Sequence, residues 1–253
     1  MYPVLLQLGG FRLHSYGLVV AAAMLVAFWL AGREAARKGL DPEFVSNLGV
    51  AVILAGLVGA RLAHVIGWEP ELLWRGPGGI FAVWRGGLAL HGGLLAGFAA
   101  GFWLCLRRGL NPWTVGDAVA PALILGQGLG RLACLLSGDA YGTPTTLPWA
   151  ITFTNPEALA PLGVPLHPTQ LYEFGLDLGL FGLLWAFRKR IAVDGQLFLT
   201  YALGYGLIRL LTETVRGDRV ELGGGLSLLQ AASLALILSA SVTFAWRRAA
   251  MRA

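Results

Sequence analysis

Polar residues in this chain gather in short clusters between long apolar stretches. Seven of those stretches approach the length that crosses a bilayer as a helix. They run over residues 15–32, 46–67, 88–106, 116–136, 170–187, 196–213 and 226–246. No internal repeat and no low-complexity tract breaks the series. The predicted fold is therefore all-α: a polytopic membrane protein of seven transmembrane helices, forming a single integral membrane domain over residues 1–253. Two connections are longer than a helix link requires. Residues 68–87 carry Trp68, Trp74 and Trp84, the aromatic type expected at a membrane–water interface. Residues 138–169 are rich in Pro, Thr and Gly, and the two connections, 68–87 and 138–169, are expected to build a small cap.

Composition agrees with this pattern and narrows it. Hydrophobic residues make up 56% and charged residues only 13%, with a mean hydropathy of +0.66. Soluble domains carry about a quarter charged residues, so a soluble globular protein is excluded. The net charge of +5 fits basic residues at helix ends. No Lys/Arg run interleaved with aromatics points to a nucleic-acid partner. The first apolar segment lacks a cationic leader and a small-residue cleavage site, so it is expected to stay as a span.

The loop cations set the orientation. Arg33, Arg37, Lys38, Arg107, Arg108, Arg188, Lys189, Arg190, Arg247, Arg248 and Arg252 fall on one side, eleven in all. Arg12, Arg75, Arg85, Arg216 and Arg219, five in all, fall on the other. Positive residues favour the cytoplasm, which puts the N-terminus outside, the C-terminus inside and the cap outside. Cys105 and Cys134 then lie at opposite faces, too far apart for a disulfide. No metal-ligand cluster is present.

Three arginines, Arg61, Arg131 and Arg209, interrupt the apolar stretches. Each costs about 2.5–3.5 kcal/mol at a bilayer centre on insertion scales, so intramembrane charge points to function. With the orientation above, Tyr16, Arg61, His64, His91, Arg131, Asp139, Arg209, Glu213 and Arg216 all fall toward the outer side. The expectation is an outer-leaflet polar chamber. Arg209 and Glu213 are spaced i,i+4 and can pair on one helix face. Arg131 has no acid at that spacing, so its counter-charge must come from another helix, from Asp139 or from a bound anion such as a phospholipid headgroup. Plainer readings stand beside these. Arg61 also suits a guanidinium reaching to the interface. His91 alone suits a buried histidine, Cys134 a small buried hydrophobe, and Gly92–Gly93 close helix packing.

Four motifs carry a resemblance. They are Arg85-Gly-Gly-Leu-Ala-Leu-His91-Gly-Gly-Leu-Leu-Ala-Gly97; Gly116-Asp117 continuing through Pro121, Gly126 and Gly130-Arg131 to Gly138-Asp139 and Gly142; His167-Pro-Thr-Gln-Leu-Tyr-Glu173; and Tyr205-Gly with Arg209, Glu213 and Arg216. Together with Tyr16-Gly17 they resemble, in order and over nearly the whole chain, the bacterial prolipoprotein diacylglyceryl transferases. The resemblance implies seven spans with the N-terminus outside, in the bacterial cytoplasmic (inner) membrane, and no cofactor. It implies transfer of a diacylglyceryl group from phosphatidylglycerol to the lipobox cysteine of a prolipoprotein signal peptide, leaving glycerol phosphate. His91 then stands as general base, with Arg131 and Arg209 on the departing phosphate and Glu213 orienting Arg209. Tyr16, Arg61, Gly92, Gly93, Asp139, Glu173 and Arg216 complete the expected substrate site.

The chain departs from the family pattern after Arg131. Glycine, asparagine and a later glutamate are usual there, and Ala133, Cys134 and Asp139 stand instead. A related phospholipid-using transferase with another acceptor, or a non-catalytic lipid- or precursor-binding paralogue, therefore remains open. An anion transporter fits less well, because the chain has no repeat and its charges favour one leaflet.

Overall fold

The computed structural model describes residues 2–8, 11–74, 87–191 and 193–250. Trp84, Arg75, Arg85 and Arg252 lie outside the described residues, as does most of the longer 68–87 connection. Among the described residues, seven long helices occupy the seven expected segments: α1 (Ser15–Arg37), α2 (Pro42–Trp68), α3 (Leu90–Arg107), α4 (Pro112–Ser137), α5 (Thr169–Phe187), α6 (Gln196–Thr212) and α7 (Leu228–Ala250). Five of them, α1 to α4 and α7, are long and apolar enough to cross a membrane. The two left out are α5, which carries Gln170, Glu173 and Asp177, and α6, which has 17 residues and carries Arg209. The protein is thus mostly helical, as a multi-pass membrane protein requires.

The all-α expectation needs one amendment. Among the described residues, three two-stranded antiparallel sheets accompany the helices: β1 (Val4–Leu8) with β2 (Phe11–His14), β3 (Ile151–Thr152) with β4 (Pro165–Leu166), and β5 (Glu221–Gly223) with β6 (Leu226–Ser227). Strands β3 to β6, of two or three residues, leave too few positions for a two-residue alternation to register in the sequence, and β1 with β2 precedes the first apolar segment, outside the spans that hydropathy marks.

The chain divides into two compact units, residues 31–115 and the remainder. In the 31–115 unit α2 begins at Asp41, whose side chain accepts from Glu43 N at 2.9 Å, with Pro42 in the first turn. Helices α2 and α3 meet through glycines. A Cβ on Gly59 would lie 2.7 Å from Gly92 O, and one on Gly92 would lie 2.6 Å from Gly59 O. Only hydrogen fits at that crossing, which lets the two backbones touch. Leu48, Cys105 and Val115 close a small core beside it.

The other unit holds residues 1–30 and 116–253. Its core joins Ile124 of α4, Leu180 and Leu184 of α5, and Leu197 and Ile208 of α6. Residues 138–169, the segment read as a cap, have a small core of their own, with Phe153, Ala160 and Leu166 buried and Tyr141, Ile151 and Val164 packed against them. Asp117 is fully buried and accepts from Gly195 N and Phe198 N, both at 2.9 Å. It satisfies donors at the start of α6 that the helix itself leaves unmade. This motif aspartate is therefore a structural tie. Cys105 and Cys134 are both free thiols.

Candidate functional site

Glu173 is the hub. It sits in the second turn of α5, 1% exposed, and three guanidinium groups converge on it. Arg131 of α4 approaches to 2.5 Å, Arg209 of α6 to 2.7 Å, and Arg216, just beyond α6, to 3.4 Å. Glu213 adds a second contact to Arg209 at 2.8 Å, the i,i+4 pair legible in the sequence, and one to Arg216 at 4.0 Å. Asp218 completes Arg216 at 2.5 Å. Three guanidinium groups are balanced by three carboxylates, which is how a segment poor in water keeps arginines ionised. Arg131's counter-charge thus comes from another helix, one of the three sources left open.

The three arginines are not equivalent. Arg209 and Arg216 are each held by at least two acids, whereas among the described residues Arg131 bridges one carboxylate, Glu173, and has the most exposed side chain, 17% against 9% and 10%. Arg131 is therefore the guanidinium best placed to take an incoming anion. Burial lowers the affinity of Arg216 for its proton, but the hydrogen bond and charge of Asp218, with Glu173 and Glu213, outweigh it. Its proton is held above the ordinary arginine range, so the group stays charged at any working pH.

The cap fixes this cluster at three chain segments. Asp139 accepts from Ala140 N at 2.7 Å through its side chain, and its carbonyl accepts from Gln170 Nε2 at 2.7 Å. Thr169 Oγ1 donates to Ala140 O at 2.6 Å. These bonds hold Ala140 in the left-handed region at φ 56°, a conformation a non-glycine residue keeps only where its surroundings over-determine it. Thr143 N donates to Val215 O at 2.8 Å, and Gly217 N to Tyr141 O at 3.0 Å, binding the same turn to the exit of α6. The exit of α4, the entry of α5 and the exit of α6 are thus one construction. The motif residues divide their labour accordingly: Thr169 and Gln170 hold the turn, Glu173 holds the arginines, and the His167 ring meets the Tyr172 hydroxyl at 3.3 Å. Tyr16, exposed in the first turn of α1, has Cys134, Asp139 and Arg131 as its electrostatic neighbours.

Two participants have no role assigned from the sequence. Ser227, 1% exposed, donates its hydroxyl to Glu213 Oε1 at 2.9 Å. Its own N–H donates to Gln230 Oε1 at 2.9 Å, and Gln230 N returns a bond to Ser227 Oγ at 3.1 Å. This is a reciprocal cap at the start of α7, and Ser-x-x-Gln before an apolar run was the signal for it. Asp218 was missed as well, and no local pattern marks it.

The remaining expected residues lie in the 31–115 unit. Arg61 is buried, donates from Nη1 to Gly87 O at 3.2 Å and meets Glu69 at 3.6 Å. His64 stacks on Trp68 with ring centroids 5.4 Å apart. Gly87 has φ 71°, and a Cβ there would lie 2.8 Å from Arg61 Nη1, so the motif glycine leaves room for the guanidinium. His91 is exposed in the first turn of α3. Gly92 and Gly93 lie at the α2–α3 crossing, Gly93 with its Cβ position 3.0 Å from Gly56 O. Among the described residues, no group of His, Cys, Asp and Glu is arranged to hold a metal ion.

Comparison with known proteins fits this geometry. The family model for prolipoprotein diacylglyceryl transferase matches residues 3–246. Phosphatidylglycerol–prolipoprotein diacylglyceryl transferases of Thermosynechococcus vestitus and Gloeobacter violaceus are each 36% identical, covering 92% and 96% of this chain and 87% and 92% of their own lengths. The Bordetella avium enzyme of that name is 34% identical over 96% of this chain and 93% of its own. With the match running through every element that builds the arginine cluster, the chain belongs to the prolipoprotein diacylglyceryl transferase family.

Proposed function

We propose that this protein transfers an sn-1,2-diacylglyceryl group from phosphatidylglycerol to the lipobox cysteine thiol of a prolipoprotein. The observation that carries the reading is Arg131, bridged to one carboxylate among the described residues and the most exposed of three arginines gathered on one buried glutamate. The sulfur attacks the glyceryl carbon that bears the phosphate ester. The S–C bond forms as the C–O bond breaks, and the electron pair leaves on oxygen with glycerol phosphate. Arg131 meets the phosphate as charge builds on the departing oxygen, where a preorganised donor acts most strongly. Arg209, fixed between Glu173 and Glu213, holds the positive field in place, and Arg216 backs it.

A thiol needs a base to become the nucleophile, and His91 takes that proton in this reading. Tyr16, Arg61, Gly92, Gly93 and Asp139 belong to the substrate site through the family motifs. The wider setting follows the same reading: one integral domain in the cytoplasmic membrane, seven spans, N-terminus outside, and the arginine cluster toward the outer leaflet. The loop-cation bias supports that orientation. Both substrates meet there, since a secreted precursor presents its cysteine at that face.

The test is mass spectrometry of a synthetic lipobox peptide incubated with the purified protein in phosphatidylglycerol-containing detergent. The expected product carries one diacylglyceryl group on its cysteine, with glycerol phosphate released in equal amount. An unmodified peptide beside folded, lipid-bound protein overturns the assignment. His91→Asn then probes the base: full transfer activity in that variant removes His91 from the role.

A further inference from the structure

A second polar layer lies under the arginine cluster. On each of the three helices that carry the cluster, the residue one turn farther from the cap is polar: Gln127 behind Arg131 on α4, Asp177 behind Glu173 on α5, and Tyr205 behind Arg209 on α6. Residues spaced i,i+4 share a helix face, so the layer faces the same way as the charges above it. Tyr201, one turn further along α6, stacks on Tyr205 with ring centroids 6.1 Å apart, and its hydroxyl donates to Gln127 Oε1 at 3.2 Å.

Asp177 is the anomaly in this layer. It is 1% exposed, and neither Oδ1 nor Oδ2 has a hydrogen-bond partner among the described residues. Backbone crowds it closely: a Cβ on Gly128 of α4 would lie 3.1 Å from the Asp177 Cβ. The charged groups that face it are Arg131, Glu173 and Arg209, and the Tyr201 and Tyr205 hydroxyls face it as well. None of them gives it a bond. Buried acceptors left unmade are costly, and in a native structure each points to a missing donor.

We infer that this second layer is the subsite for the headgroup of the donor lipid, with Asp177 accepting from two neighbouring hydroxyls. The inference rests on the phosphatidylglycerol reading above and adds to it the part of the lipid that is recognised. A carboxylate offers two acceptor oxygens, and a 1,2-diol offers two O–H donors on adjacent carbons. With the phosphate on Arg131, the terminal glycerol of phosphatidylglycerol has to reach about one helical turn, roughly 5–6 Å, to meet Asp177. An ammonium headgroup would pair with Asp177 only under the repulsion of Arg131 and Arg209. A headgroup without hydroxyls would leave both acceptors as they are, and unpaired polar groups in a site built for hydroxyls are a strong source of discrimination.

The experiment compares two donors of equal charge, phosphatidylglycerol and phosphatidylethanol, the second lacking the diol. Wild-type protein is expected to prefer phosphatidylglycerol in kcat/KM by roughly a hundredfold or more. Asp177→Leu and, separately, Tyr201→Phe should shrink that ratio, Asp177→Leu to within about tenfold, chiefly through the phosphatidylglycerol value. Equal transfer from both lipids by wild-type protein overturns the inference. So does an equal loss on both donors in either variant, or a preference for an ethanolamine headgroup. Where neither lipid is a donor, the transfer reaction itself fails, and competitive binding of the two lipids by native mass spectrometry still decides the subsite. Preferential binding of the diol lipid, lost in Asp177→Leu, supports it, and equal binding sinks it.

Discussion

The chain handles a buried arginine in two ways. Arg209 lies between two carboxylates that are themselves 2% and 0% exposed, at 2.7 and 2.8 Å. Arg61 is as deeply buried but shares Glu69, whose side chain is 48% exposed, at 3.6 Å, and leans on the carbonyl of Gly87. The first arrangement fixes the guanidinium by groups that cannot leave without stranding it. The second ties it to an acid already in contact with solvent, where the net gain from the pair is small. The helices differ in the same sense. Two of the three helices bearing the first cluster, α5 and α6, fall short of a membrane span by length or composition, whereas α2 and α3 around Arg61 meet that standard and pack through bare glycine backbone.

That contrast breaks first at Glu173. Glu173→Gln leaves three guanidinium groups facing one neutral amide, and removing one partner of a buried pair typically costs about 3–5 kcal/mol. The variant should unfold at clearly lower temperature in detergent and transfer no detectable diacylglyceryl group. Retained stability would mean that the cluster is solvated and that Glu173 is not its hub.

Arg131 and Arg61 sharpen the comparison as a pair. Arg131→Ala should lower kcat by about 10²–10³, the range for losing one transition-state donor, with a smaller effect on stability. Arg61→Ala should act mainly on KM, by about tenfold or less, as a uniform binding contact does. The kinetics of both variants with one peptide and one lipid check the ranking. Equal losses in kcat would put both arginines on the reacting phosphate.

The elements of this architecture were unevenly legible in the sequence. Hydropathy located the seven helical segments, five of them long and apolar enough to cross a membrane, because an apolar run of that length dominates any local noise. The Arg209–Glu213 pair was legible because it is local to one helix face. The convergence on Glu173 was not, since its partners come from α4, α6 and the segment after α6, and only folding brings those to one point. The motif His167–Glu173 marked the right residues, yet nothing in it separates Thr169 and Gln170, which hold a turn, from Glu173, which holds charge. Asp117 shows the opposite limit: a motif aspartate in an apolar stretch whose work is to hold the start of α6.

The smallest expected effect falls on Ser227, which joins the two roles. Its hydroxyl reaches Glu213 while its backbone and Gln230 cap α7. Loss of a capping hydroxyl typically costs about 0.5–2 kcal/mol, so Ser227→Ala should lower thermal stability modestly. The capped helix alone would predict no change in turnover. Glu213 also loses a donor, and a carboxylate less well held orients Arg209 less well, so kcat should fall by roughly a few-fold, a fraction of what a hydrogen bond to a charged group contributes, because the effect reaches Arg209 only through Glu213. Ser227→Thr keeps the hydroxyl and should recover both properties. Measuring melting temperature and kcat on the two variants separates the roles: a stability loss with unchanged kcat would confine Ser227 to the helix cap, and would show that Glu173 and Arg216 are enough to hold the end of the cluster.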